Sequence, residues 1–244
     1  MSFPPSPQPI EDAQRVLCVV AHPDDIDFGF AGTIAGFVDD GLEVTYLLVT
    51  RGDAGGFDDT PREAMPVLRE AEQRAAAAAV GVKDVRFLDG YRDGTVATTL
   101  ELRRDISRVI RQVRPDRILT TSPERRWDRI GASHPDHLAV GDATTAAVYP
   151  DARNPFAFPE LLNDEGLEPW VVREIWFSSA PGADHIVDIT DVYPRKLAAL
   201  QAHATQTGHM DLDGRLRAMM GRTAAAAGLP EGRLAESFSI VATG

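Results

Sequence analysis

Two short stretches concentrate the groups that bind metals and move protons. His22-Pro23-Asp24-Asp25-Ile26-Asp27 sets one imidazole and three carboxylates within a few residues, and His134-Pro135-Asp136-His137 sets two imidazoles and a carboxylate within a few more. Imidazole nitrogens and carboxylate oxygens are the ordinary donors to a catalytic divalent ion. Two His and one carboxylate leave a coordination position open for water. The same donor set accepts Zn2+, Fe2+ or another divalent metal, so ligand type does not choose among them. His22 and Asp25 lie three apart in a tight loop that Pro23 stiffens. His134 and His137 lie three apart on the expected first turn of a helix and so share a face.

Alternating element types position these loops. Residues 15–21 read as a buried strand that empties into His22, and 29–39 as a helix ended by Asp40-Gly41. Residues 42–49 read as the second strand, which implies a parallel pair joined by a right-handed crossover. A helix is expected over 66–80, a strand over 84–88, a helix over 99–113 and a strand over 117–121. A long polar loop, 122–133, leads into a helix that runs to about Val148, with Ser133 as its expected N-cap. Further strands are expected at 172–177, 185–189 and 236–241, and helices at 193–205 and 210–228. Residues 1–14 read as a loose arm, and the Pro- and aromatic-rich segment 149–170 as an irregular insertion or lid. With no repeat and no low-complexity linker, residues 1–244 are expected to form one domain. The Gly-rich loop 50–56 lacks the Gly-x-Gly-x-x-Gly order and does not follow the first strand, which excludes a dinucleotide fingerprint.

Composition narrows the partners. The formal net charge of −12, from 25 basic and 37 acidic residues, argues against nucleic acid and against docking on anionic lipid. The single cysteine, Cys18, lies in an apolar run and is expected in the core; one cysteine excludes an internal disulfide framework. No stretch has the length of a membrane span, and residues 1–14 lack the basic and apolar regions of a secretory signal. A cytoplasmic location is the default expectation, and assembly with further copies is left open.

With these residues in view, the chain resembles the LmbE-like / PIG-L family of metal-dependent N-deacetylases. The resemblance rests on His22-Pro23-Asp24-Asp25, Gly29-x-x-Gly32-Thr33-Ile34-Ala35 and His134-Pro135-Asp136-His137. It continues in Arg69-x-x-Glu72, Tyr91-Arg92-Asp93-Gly94 and Lys196-Leu197-Ala198-Ala199-Leu200-x-x-His203-x-x-Gln206. Together with the element order it implies an α/β, three-layer Rossmann-like fold with a mainly parallel sheet flanked by helices. It implies His22, Asp25 and His137 as ligands of a metal, zinc by default. It further implies Asp24 as general base, His134 as the group polarising the carbonyl, and Asp136 as the partner that orients His134. The reaction implied is hydrolysis of an acetamide on an N-acetylglucosamine-type sugar or glycoconjugate. The expected substrate contacts are Arg69, Asp93 and Trp127, the last able to stack on a sugar.

Two positions depart from the family pattern. Ala132 stands where the mycothiol-precursor deacetylases carry tyrosine, so that role is absent or falls to another residue such as Tyr91 or Tyr149. Asp27 stands where many relatives have glutamate. Two other readings stand beside deacetylation of a sugar. One is an amidase of thiol S-conjugates, or a deacetylase of a secondary metabolite. The other is a metal-binding interaction module without catalysis, which would have no need of a base at Asp24.

Overall fold

Side chains alternate along a strand, and the first strand is apolar on both sides: Val16, Cys18 and Val20 serve one buried cluster, Leu17 and Val19 another. Both sheet faces must therefore be covered. The computed structural model describes residues 6–57 and 60–244. It places β1 (Arg15–Val20), β2 (Glu43–Leu48), β3 (Asp84–Phe87), β4 (Arg117–Thr121) and β5 (Glu174–Ser178) in parallel. β6 (His185–Asp188) and β7 (Ala235–Ala242) complete the sheet, β7 running antiparallel to both β5 and β6. The strand order is β3-β2-β1-β4-β5-β7-β6.

Helices α1 (Asp25–Gly29), α2 (Ala31–Asp39) and α3 (Met65–Val80) pack on one face of the sheet. α4 (Leu100–Val113) and α5 (Pro135–Ala146) pack on the other. α6 (Pro159–Asn163) follows within the segment expected to be irregular. α7 (Tyr193–Gln201), α8 (Ala204–Thr207) and α9 (Leu212–Ala226) come next, with α7 and α9 sharing a third cluster around Tyr193, Leu200, Leu216 and Met220. The three-layer α/β architecture with a mainly parallel sheet is as expected, and Cys18 is fully buried.

The order reverses between β1 and β4. The chain steps outward from β1 to β2 and β3, then returns to the far side of β1 for β4. Crevices at the carboxyl ends of strands flanking such a reversal are where α/β sheets bind ligands. The two His/Asp loops leave these two strands.

Two segments differ from expectation. Within the arm, residues 1–5 lie outside the described residues, but 6–14 is fastened. Ser6 N donates to Asp184 Oδ2 at 2.8 Å and Ile10 N to Glu174 Oε2 at 3.0 Å, while Arg117 Nη2 donates to Ile10 O at 3.0 Å. Residues 149–170 do not cover the site. The buried Arg111 of α4 donates to the carbonyls of Ala152, Asp151, Asn154 and Ala157. Trp170 Nε1 donates to Pro115 O at 2.7 Å, at the start of β4. A guanidinium with several carbonyl partners and an indole anchor hold the segment at the opposite end of the strands from the His/Asp loops.

Candidate metal centre

Local geometry begins at Asp24, which takes a left-handed backbone conformation (φ 88°, ψ −23°) just before α1. Non-glycine residues adopt it at a cost. Here the turn brings the carboxylate of Asp25 back under the loop, where Oδ2 accepts from His22 N at 2.8 Å. On the β4 side, α5 packs backbone to backbone against the strand end. A Cβ at Gly141 would stand 2.3 Å from Thr121 O, so only glycine allows the approach. Thr121 Oγ1 donates to His137 O at 3.0 Å, which ties the helix start to the strand. The expected cap is corrected: His134, not Ser133, caps α5, its Nδ1 accepting from Asp136 N at 3.2 Å. Ser133 Oγ instead accepts from Arg126 N at 2.7 Å.

Across the β1–β4 boundary three donors converge. His22 Nδ1 lies 3.2 Å from His137 Nε2 and 3.5 Å from Asp25 Oδ2, and His137 Nε2 lies 3.0 Å from Asp25 Oδ1. Ligands about 2.0–2.1 Å from a tetrahedral ion stand about 3.3 Å apart, a spacing each of these pairs approaches, with one Asp25 oxygen beside each imidazole. Among the described residues, the groupings whose donor atoms all lie within 4.8 Å of one another are His22 with His134 and His137, and His22 with Asp93 and Asp136. In the first, His134 has its Nδ1 engaged by the Asp136 N–H, which leaves Nε2 as its open nitrogen. The second uses His22 Nε2, which already meets Asp136 Oδ2 at 3.1 Å and Asp93 Oδ1 at 3.0 Å. The set formed by His22 Nδ1, Asp25 and His137 leaves both of those contacts intact.

The electrostatics favour a cation. Asp24, Asp25, Asp93 and Asp136 surround the imidazoles. Burial lowers the His22 pKa, but Asp136, Asp25 and Asp93 together overcome this and push it up to about 12. Burial also acts against ionised Asp25, yet His137 and His22 hold its carboxyl well below the usual range. A cluster that draws a proton onto an imidazole in this way presents the charge a divalent ion would satisfy. Asp24 differs. Burial raises it, Arg69 pulls it back and Asp25 raises it again, leaving it at about 6. Its Oδ2 accepts from Arg69 Nη2 at 3.0 Å. His134 is exposed, and burial of its ring together with the neighbouring His22 and His137 lowers its pKa. With Nδ1 accepting a backbone N–H, the proton of the neutral ring sits on Nε2, which is free to donate.

Several expected roles change. Asp136 does not orient His134 through its carboxylate. Its Oδ2 meets His22 Nε2 and accepts from Gly94 N at 2.7 Å, and its Oδ1 accepts from Val96 N at 3.2 Å. It is the partner of the His22 imidazole on the side away from His137, and such a contact fixes tautomer and ring direction. Arg69 is not available to substrate. It is buried, and its guanidinium donates to Pro23 O, Gly52 O and Asp24. Asp93 borders the cluster through His22, its other oxygen accepting from Ala54 N at 3.2 Å. Trp127 is 83% exposed on the loop between β4 and α5 with Arg125 over its ring, and no hydrogen bond or ring contact joins it to the cluster. Neither proposed substitute for the family tyrosine serves: Tyr91 donates its hydroxyl to Asp105 on α4 at 2.8 Å, and Tyr149 lies beyond the far end of α5, under Arg153.

Sequence reasoning missed Gln73, which is fully buried. Its Oε1 accepts from Asp24 N at 2.9 Å and its Nε2 donates to Asp27 Oδ2 at 2.9 Å. The available signal was its place one helical turn after Arg69, on the same face of α3.

Fold and site together are those of a three-layer α/β domain with a His/Asp cluster able to hold a metal ion at its switch point. The comparisons name the family. Residues 17–148 match the model of PIG-L, the GlcNAc-PI de-N-acetylase family. A diacetylchitobiose deacetylase from Thermococcus kodakarensis is 33% identical over 200 residues, covering 82% of this chain and 72% of the relative. A probable N-acetyl-alpha-D-glucosaminyl L-malate deacetylase of Bacillus anthracis is 33% identical over 208 residues, covering 81% and 83%. The structure of N,N'-diacetylchitobiose deacetylase from Pyrococcus horikoshii superposes with a TM-score of 0.85 at 30% identity, covering 95% of this chain and 85% of that one. The chain belongs to the PIG-L (LmbE-like) family.

Proposed function

We propose that this protein is a zinc-dependent N-deacetylase that hydrolyses the acetamide of an N-acetylglucosamine-type sugar or glycoconjugate. The observation that carries the reading is the convergence of His22 Nδ1, Asp25 and His137 Nε2 beside a carboxylate, Asp24, that is not needed as a ligand. The deacetylase relatives support the substrate class. His22, Asp25 and His137 hold the ion, which when bound supplies Lewis acidity toward water and toward the acetamide oxygen. Asp24 takes the proton of the attacking water. With Oδ2 engaged by Arg69, Oδ1 is the oxygen that accepts it, and a pKa of about 6 suits a base working near neutral pH. The exposed Nε2–H of His134 donates to the oxyanion, a contribution of about 3–4 kcal/mol for one such donor. Asp24 then returns its proton to the departing amine, and acetate leaves. The Asp93 side of the cluster forms the rim against which the sugar lies.

The whole chain acts as one catalytic domain, since β1, α3, α5 and the α7–α8 junction all supply groups to or around the site. No helix among the described residues is long and apolar enough to cross a membrane. With its sole cysteine free and buried, we assign the reaction to the cytoplasm.

The direct test is acetate release from N-acetylglucosamine and N,N'-diacetylchitobiose by zinc-loaded protein. Activity is expected, with loss on chelation and recovery on adding zinc back. A fully loaded enzyme that frees acetate from no N-acetylated sugar overturns the reading. Asp136→Asn should lower zinc affinity about 10–100-fold, measured by competition with a chromogenic chelator. Unchanged affinity would remove Asp136 from its role behind His22.

A further inference from the structure

The Asp24 loop is held from behind by a buried polar chain that the chemistry above does not use. Asp24 sits in a left-handed conformation, and its N–H donates to Gln73 Oε1 at 2.9 Å. The other end of that amide, Nε2, donates to Asp27 Oδ2 at 2.9 Å. The same oxygen meets His203 Nε2 at 2.8 Å. His203, Asp27 and Gln73 are all fully buried. Behind them, Lys196 Nζ donates to Asp27 O at 2.7 Å, and Glu72 accepts from Thr205 N at 2.8 Å and Thr205 Oγ1 at 2.7 Å, which seats α8 against α3.

A glutamine amide has an acceptor end and a donor end. Asp27 Oδ2 accepts from Gln73 Nε2, so it selects the NH2 end of that amide and turns Oε1 toward Asp24. His203 in turn fixes Asp27 from α7's end, more than a hundred residues along the chain. The three links are in series: remove the outer one and the Asp27 carboxylate that holds the inner amide is free to turn. What the series delivers is the backbone geometry of Asp24, and through it the direction of that carboxylate relative to Asp25.

We infer that Gln73 is a positioning residue for Asp24, locked in one amide orientation by His203 acting through Asp27. This rests on Asp24 being the general base. A misplaced base costs rate and not affinity, with losses of about 10²-fold for displacements near 1 Å.

The test compares wild type, Gln73→Met, His203→Leu, His203→Gln, the Gln73→Met/His203→Leu double variant and Asp24→Asn, all as zinc-loaded full chain. Each is measured for kcat, KM, bound zinc, melting temperature and hydrogen exchange of the peptide spanning residues 22–27. Gln73→Met and His203→Leu are expected to lower kcat by about 10²-fold with KM and bound zinc unchanged, and to speed exchange at the Asp24 amide. His203→Gln, which keeps a donor for Asp27, should recover much of the loss. The double variant should be no worse than Gln73→Met, because links in series do not add.

Losses that follow bound zinc or melting temperature, additive losses, or wild-type kcat with slow exchange in Gln73→Met overturn the proposal. If Gln73→Met fails to fold, the His203→Leu and His203→Gln pair decides by the same criteria. Should Asp24→Asn keep full activity, it is the reading of Asp24 as base that fails. An inactive Asp24→Asn beside an undiminished Gln73→Met and His203→Leu rejects the positioning chain alone.

Discussion

Asp24→Asn is expected to lower kcat for acetamide hydrolysis by about 10²–10⁴-fold while bound zinc stays at the wild-type level. The substitution preserves size and leaves His22, Asp25 and His137 in place, so the ion has the same three protein donors. It removes the only function those donors lack, a carboxylate oxygen free to accept a proton. Arg69 still has an acceptor at position 24 through the amide oxygen, so the loop keeps its outer contact. Steady-state kinetics with metal analysis on the same samples checks the result. A variant that turns over normally at equal zinc would show that the proton goes to another group.

Lys196→Met is expected to cost stability more than any other single change considered. Lys196 Nζ lies 2.7 Å from Glu236 Oε1, and both side chains are fully buried. The ammonium also donates to Asp27 O and to Phe28 O, while Glu236 accepts from the N–H groups of Gly32 and Thr33 and from Thr33 Oγ1. The pair therefore joins α7, the α1–α2 turn and β7. Methionine fills much of the space but leaves a buried carboxylate without its counter-charge, a loss of about 3–5 kcal/mol. For a chain of this length that corresponds to a melting temperature lower by about 6–20 °C. Thermal unfolding followed by circular dichroism checks it. Adding Glu236→Gln removes the orphaned charge and should restore part of the loss. A Lys196→Met protein that melts with the wild type would mean that Glu236 finds another neutralising partner.

The readable part of the site is the part made by local spacing. His22 and Asp25 meet within one turn, and His134 and Asp136 meet within one helix cap, so their types and intervals identify them. Groups whose partners lie far along the chain were misread. Arg69, expected to contact substrate, is buried instead, because α3 crosses the loop after β1 and the guanidinium donates to Pro23 O and Asp24 there. Asp136 was assigned to its sequence neighbour His134, whereas its carboxylate turns to His22 on another strand's loop. Trp127 carries the right chemistry for a sugar, but its loop holds it outward. The segment 149–170 looked like a cover because Pro and aromatics disrupt regular structure, and the buried guanidinium of Arg111 instead holds it at the other end of the sheet.

By itself the sequence determined the alternation of strands and helices, the apolar character of β1 on both faces, and the presence of two donor-rich loops at strand ends. These follow from periodicity and from backbone chemistry acting over a few residues. Only the tertiary structure decided that β4 lies beside β1. That choice brings His137 to within 3.2 Å of His22 across more than a hundred residues. It also decided that α3 and α7 close behind Asp24, where Arg69 and Gln73 contact it and His203 meets Asp27. The reason is physical. Strand order and helix seating are fixed by burying two complete faces of one sheet, a sum over many distant contacts, and no interval within either loop encodes it.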